Sequence, residues 1–88
     1  MQRFGEKLRT LRTRRGLSVR ALARDLGYAT HSYISDIEAG RTIPRVEFTV
    51  KIADFFHVAL DQLVRDDVEL DPDAGVQPTT DETSKEGS

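Results

Sequence analysis

Along the front of this chain, apolar residues recur at helical spacing between glycine and proline stops. Phe4, Leu8 and Leu11 fall at i, i+4 and i+7, one stripe of a helix from about Arg3 to Arg15. Arg12, Arg14 and Arg15 crowd its last turn, where the helix dipole favours cations, and Gly16 follows as a stop. Leu22, Ala23 and Leu26 form the apolar face of a second helix, which Ser18 can cap and Gly27 can end. Ile34 and Ile37 supply the buried side of a short third helix, from about His31 to Ala39, with Thr30 or Ser32 as N-cap and Gly40 beyond its end. Pro44 disfavours helix in the residue before it, so Arg41-Thr42-Ile43-Pro44 reads as a loop. After it the pattern supports two readings. Val46, Phe48, Val50 and Ile52 alternate at period two, as in a strand, while Val46, Val50, Ala53 and Phe56 form a helical stripe. A last short helix would hold Leu60, Leu63 and Val64, with Asp61 in its first turn.

From Asp66 the chain changes character. Asp66-Asp67-Val68-Glu69-Leu70-Asp71-Pro72-Asp73 leads into glycine, proline, threonine, serine and more acids. So few apolar residues cannot offset the entropy of ordering, and disorder is expected from about Asp71. The reading is one globular domain over 1–65 and an acidic tail over 66–88. Charge divides the same way. Residues 1–65 carry 12 Lys or Arg against 7 Asp or Glu, a net +5, and residues 66–88 carry 1 against 8, a net −7. The overall −2 conceals a basic globule, the electrostatic footprint expected for binding phosphate backbones.

The 88 residues allow one core. No cysteine is present, which excludes disulfides and thiolate metal sites. No stretch approaches the roughly 18 apolar residues of a membrane span, and the basic start lacks an apolar run with a cleavage site, so a cytoplasmic, unexported protein with no membrane contact is expected. His31 and His57 have no metal-ligand spacing, and no glycine-rich phosphate loop occurs. No catalytic residue, cofactor or metal is therefore assigned, and the chain is not read as an enzyme.

The segment from about 18 to 39 is two short helices hinged at Gly27. An isolated helix this short would not stay folded, so a partner must hold it. A helix about 11 Å across fits the roughly 12 Å major groove of B-DNA, and a braced pair of this kind is a helix-turn-helix.

Several runs carry a closer likeness: Phe4-Gly5-Glu6-Lys7-Leu8-Arg9, Arg15-Gly16-Leu17-Ser18, Leu22-Ala23, Tyr33-Ile34-Ser35-Asp36-Ile37-Glu38-Ala39-Gly40-Arg41, Pro44, Lys51-Ile52-Ala53 and Leu60-Asp61-Gln62-Leu63. In these, the stretch from Phe4 to Val64 resembles the lambda-repressor-like (Xre) helix-turn-helix family of phage repressors and bacterial regulators. The resemblance implies an all-α, five-helix DNA-binding domain, and it favours helix over strand for about Arg45 to Phe56. It makes the third helix the reader of the groove. It implies a partly buried ion pair between Arg12 and Glu38, and a homodimer formed through the fourth and fifth helices, with Phe48 and Phe55 as candidates for core or subunit contact. Two departures stand out. Val19 occupies a position where the family usually places a phosphate-binding glutamine, and the turn Gly27 to Tyr33 is one residue longer than usual.

Position in the motif then assigns roles. Thr30, His31, Ser32, Ser35 and Asp36 are the expected base contacts. Asp36 can accept a hydrogen bond from the amino group of cytosine. Arg20, Arg24, Arg41 and Arg45 are the expected phosphate contacts, with Arg14 and Arg15 farther off. The function expected is sequence-specific regulation of transcription, as a repressor, with double-stranded DNA as partner and a bacterial or phage origin. A protein-interaction module that retains the fold without DNA binding is the alternative, favoured by Val19, Asp36 and the tail. The tail itself serves solubility, contacts a protein partner, or folds back to compete with DNA for the basic face.

Overall fold

The computed structural model describes residues 2–76. It contains α1 (Phe4–Arg14), α2 (Val19–Leu26), α3 (Ser32–Glu38), α4 (Val46–Phe56) and α5 (Leu60–Val64), with no strand among the described residues. Phe4, Leu8 and Leu11 of α1 meet Leu22 and Ala23 of α2, Ile34 and Ile37 of α3, Phe48, Ile52 and Phe56 of α4, and Leu63 of α5 in one core. The helix-turn-helix pair thus contributes one apolar face to a core built mainly by its neighbours, which is how such short helices are held.

Residues 46–56 are helical, and the inner face is rotated from the stripe marked in the sequence. Phe48, Thr49, Ile52, Ala53 and Phe56 are buried. Val46 and Val50, counted on the inner stripe, are 79% and 42% exposed. Spacing alone gives two stripes here, and the ring of Phe48 decides between them. It packs edge-on against Tyr33, with ring centroids 5.0 Å apart, and lies 6.2 Å from Phe4. Phe48 is therefore a core residue, while Phe55 is half-buried beside Phe56.

The close crossing of α1 and α3 depends on Gly5. A Cβ at Gly5 would collide with the carbonyl oxygen of Ile37. Arg12 fixes the same crossing farther along α1. Its Nε and Nη2 donate to the two carboxylate oxygens of Glu38 at 2.7 and 2.9 Å, and its Nη1 donates to the Leu17 carbonyl at 2.8 Å.

The chain does not leave the globule after α5. Residues 66–76, called the strap below, run back along α1. Asp66 accepts from the backbone N–H groups of Gln2 and Arg3, both at 2.9 Å, supplying the cap that Arg3 itself does not provide for α1. The ammonium of Lys7, a residue 1% exposed, donates to the carbonyls of Gln62, Arg65 and Val68 at 2.5, 2.7 and 2.6 Å. Leu70 and Ala74 pack against the core edge. The start of disorder expected at Asp71 is thus too early: Asp71, Ala74 and Gly75 are hydrogen-bonded to Arg14 and Arg15. Composition understated residues 71–75 because the acceptors they offer Arg14 and Arg15 are backbone carbonyls, which any sequence carries. The expected tail beyond Val76 lies outside the described residues.

Candidate nucleic-acid interface

Helical geometry sorts α3 into two faces. Ile34 and Ile37 point into the core, while Ser32, Ser35 and Asp36, at i, i+3 and i+4, share the outer side. Ser32 is exposed and Ser35 and Asp36 are half-exposed. No other element covers this face closely enough to bury it. The Thr30 hydroxyl accepts from the Ser32 N–H at 3.2 Å and lies the same distance from the Ser32 hydroxyl. The residue bounding the helix is His31, which makes no side-chain cap bond, so Thr30 satisfies the first turn from one position farther out.

α2 is anchored at its start by Ser18, whose hydroxyl accepts from the Ala21 N–H at 3.0 Å. One turn apart on α2, Arg20 and Arg24 are both exposed. With Ala23, Gly27, Thr30 and His31 they line a shallow concavity between α2 and the beginning of α3. Residues expected to touch phosphates and residues expected to touch bases therefore border one hollow. Arg24 has a neighbouring acid, Asp25, 3.7 Å away on the surface.

The far end of α3 is arranged differently. The Arg41 N–H donates to the Asp36 carbonyl at 2.8 Å and the Gly40 N–H to that of Ile37 at 3.1 Å, closing the helix. That turn lays the Arg41 guanidinium on the Asp36 carboxylate, with Nε and Nη2 donating to Oδ1 at 3.0 and 2.9 Å. An expected base reader and an expected phosphate contact are thus joined to each other. Their charges cancel locally, which removes much of the repulsion an acid on this face would exert on DNA.

Arg45 remains exposed, with no hydrogen bond or ion pair of its side chain among the described residues. Its backbone N–H donates to the Tyr33 hydroxyl at 2.9 Å. Tyr33, on α3, therefore caps the N-terminus of α4 and fixes where Arg45 begins relative to α3. No capping role is assigned to Tyr33 from sequence alone. The only signal for it was an aromatic residue with a polar tip and, 12 residues on, a helix start that lacks a serine or threonine cap. Tyr28, in the turn, stacks near Tyr33 and Phe48 with centroids 6.1 and 5.9 Å away. The Lys51 ammonium sits 4.8 Å from the Tyr28 ring centre. Burial pushes the Tyr28 phenol above its usual range, which keeps it neutral.

Behind the interface, the Arg12–Glu38 pair ties α3 to α1 with side chains 15% and 9% exposed. Hydrogen bonding to Glu38 raises the Arg12 guanidinium above its ordinary value, so the guanidinium stays charged at all physiological pH. Arg14 and Arg15 lie beside the strap, Arg14 exposed and Arg15 partly buried. Arg14 donates to the carbonyls of Asp71 and Ala74, and Arg15 to those of Phe55 and Gly75. The Arg15 guanidinium also stacks over Phe55 and Phe56, 5.2 and 4.9 Å from the ring centres. Among the described residues, no group of His, Asp or Glu is placed to hold a metal ion, and no helix is long and apolar enough to cross a membrane.

A family model described as a helix-turn-helix domain matches residues 3–66. The HTH-type transcriptional activator BcrR of Enterococcus faecalis is 39% identical over 61 residues, covering 69% of this chain and 29% of that protein. The chain therefore spans less than a third of the relative's length. No solved structure matches at comparable strength. The matched stretch contains all five helices and both faces of α3 described above, and the chain belongs to this helix-turn-helix domain family.

Proposed function

We propose that this domain binds double-stranded DNA in a sequence-specific manner as part of a transcription regulator, with α3 inserted in the major groove. One observation carries the reading: the outer face of α3 is polar and uncovered, its inner face is locked to the core and to Arg12, and exposed arginines stand at both of its ends. Thr30, His31, Ser32 and Ser35 take the positions of base contacts, and Asp36 reads cytosine with Arg41 turned toward the backbone. Arg20, Arg24 and Arg45 bind phosphates, which position without specifying. A two-fold dimer on paired half-sites completes the reading. Ile43, 82% exposed, with Val46 and Val50 beyond it, offers an apolar seam in place of the buried Phe48. Bound over a promoter, such a dimer represses by occlusion, in a bacterial cytoplasm. The similar protein named an activator indicates that a related domain also serves the opposite sign.

Selection from a random duplex pool, followed by anisotropy titration on the selected site, tests this. Affinity should fall with salt at a log–log slope of several units, and changing a central base pair should cost about 1–3 kcal/mol. Equal binding to selected and scrambled duplexes would overturn it. A protein-interaction module is the second reading, favoured by the engagement of Arg41 with Asp36. A partner that survives nuclease treatment, together with absent duplex selection, would establish that reading instead.

A further inference from the structure

The strap contacts one flank of α1 only. At about 100° per residue, Arg3, Lys7 and Arg14 fall within about 40° of one another around the helix, while Gly5 and Arg12, which meet α3, lie on the opposite flank. The strap-side cations are all engaged. Arg3 donates to the Asp66 carbonyl at 3.1 Å and to both carboxylate oxygens of Glu69 at 2.8 and 3.0 Å. Lys7 is enclosed by carbonyls, and Arg14 and Arg15 reach carbonyls of residues 71–75. The strap also brings five carboxylates, Asp66, Asp67, Glu69, Asp71 and Asp73, to this side of the molecule. Nearly all of it lies past the family match, which ends at residue 66.

Without the strap, α1 would present a second cationic stripe on the far side of α1 from α3. A duplex held there could not also receive α3 in its groove, so every such contact would compete with sequence reading. We propose that the strap is a specificity element. It occupies this flank and keeps Arg3, Arg14 and Arg15 from DNA phosphates, confining backbone binding to the side that carries α2 and α3. This rests on the DNA-binding reading and adds to it a device that limits backbone contacts along so basic a helix.

Gly75 provides a test that changes no charge. It has φ 82°, which side chains rarely adopt, and a Cβ there would sit 2.6 Å from Leu11 Cδ2, with the Leu11 backbone close behind. Gly75→Val should lift the end of the strap and free Arg14 and Arg15 while leaving α2 and α3 untouched. Against random-sequence duplex, two released arginines should steepen the log–log salt slope by about 1.8 and tighten binding at 50 mM salt on the order of tenfold or more. A second pair of variants controls for net charge. Asp66→Asn with Glu69→Gln removes two carboxylates that engage the N-terminal end of α1, whereas Asp67→Asn with Asp73→Asn removes two that have no hydrogen bond to α1 among the described residues. The first pair should steepen the slope and the second should not. Circular dichroism melts establish that each variant is folded, and amide exchange over 66–76 reports strap release. Unchanged slopes in Gly75→Val, or equal changes in the two double variants, would overturn the inference. Binding of the unaltered chain to its selected site is measured alongside. Its loss would remove the DNA-binding reading, while its presence with unmoved slopes removes only the role of the strap.

Discussion

Arg3, Lys7, Arg12, Arg14 and Arg15, on and beside α1, each donate hydrogen bonds to fixed acceptors, whereas Arg20 and Arg45, beside α3, are exposed with no side-chain partner among the described residues. Residue type is the same on the two sides, and the difference lies in the backbone around it. Behind α1, a five-residue helix ends and an irregular segment follows, so several carbonyls lie close to the core without partners of their own. Cations on α1 satisfy them. Beside α3, the helix ends are closed by Thr30, Gly40 and Tyr33; Arg41 is held by Asp36, while Arg20 and Arg45 are left without a side-chain acceptor among the described residues. Cations at carbonyl-rich positions are held as part of the structure, whereas Arg20 and Arg45 are not held by the fold.

The Arg12–Glu38 pair joins the two sides, and breaking it should give the largest effect. Glu38→Ala leaves the Arg12 guanidinium half-buried without its carboxylate, and a loss of about 3–5 kcal/mol in urea unfolding is expected. A loss under about 1 kcal/mol would mean the pair is solvated like any surface bridge. The next largest is Lys7→Met, which keeps the apolar stem and removes the donor from three carbonyls. A loss of about 2–3 kcal/mol is expected, measured the same way. If the variant melts like the unaltered chain, the carbonyls behind α1 do not depend on the ammonium, and the contrast between the sides fails.

Much of this was legible in the chain, and the gaps have physical causes. The Phe4–Leu8–Leu11 stripe, the Ser18 cap and the Gly27 and Gly40 ends are local features, and local features predicted α1, α2 and α3 to within a residue or two. The rotation of α4 was not local. Val46 and Phe48 are equally apolar, and only the ring cluster of Tyr28, Tyr33 and Phe48 selects between them. The strap was hidden for the same reason. Its bonds join Asp66 to Gln2 and Arg3, and Val68 to Lys7, more than 60 residues apart in each case, and several of its acceptors are carbonyls that leave no mark in sequence. At the candidate interface, residue types indicated which side chains face outward. They did not indicate that Asp36 and Arg41 would meet, because that contact depends on the turn at Gly40.

Acid should separate the two sides without mutation. Hydrogen bonds from the Arg3 and Gln2 N–H groups hold the Asp66 carboxyl below its usual range, and hydrogen bonding to Arg3 does the same for Glu69. Groups lowered in this way stabilise the folded arrangement above about pH 4, and that contribution fades as pH falls through their folded values. Amide-exchange protection, corrected for intrinsic rates, should therefore drop in residues 66–70 between about pH 5 and 3 before it drops in α2 and α3. Simultaneous loss would mean that the strap and the α2–α3 side open as one unit.

The smallest effect on stability should accompany a distinct effect on binding. Arg20 is exposed and its guanidinium has no partner among the described residues, so Arg20→Gln should move the unfolding free energy by no more than about 0.5 kcal/mol. If its role is to hold a phosphate, the same change should lower the salt slope on the selected site by about 0.9 and weaken binding to all duplexes alike, leaving base preference intact. The companion Lys7→Met should do the reverse, lowering stability while leaving the slope where it was. A slope that drops for Lys7→Met in its folded temperature range, or stays fixed for Arg20→Gln, would show that hydrogen-bond engagement is not what divides structural cations from phosphate-binding ones.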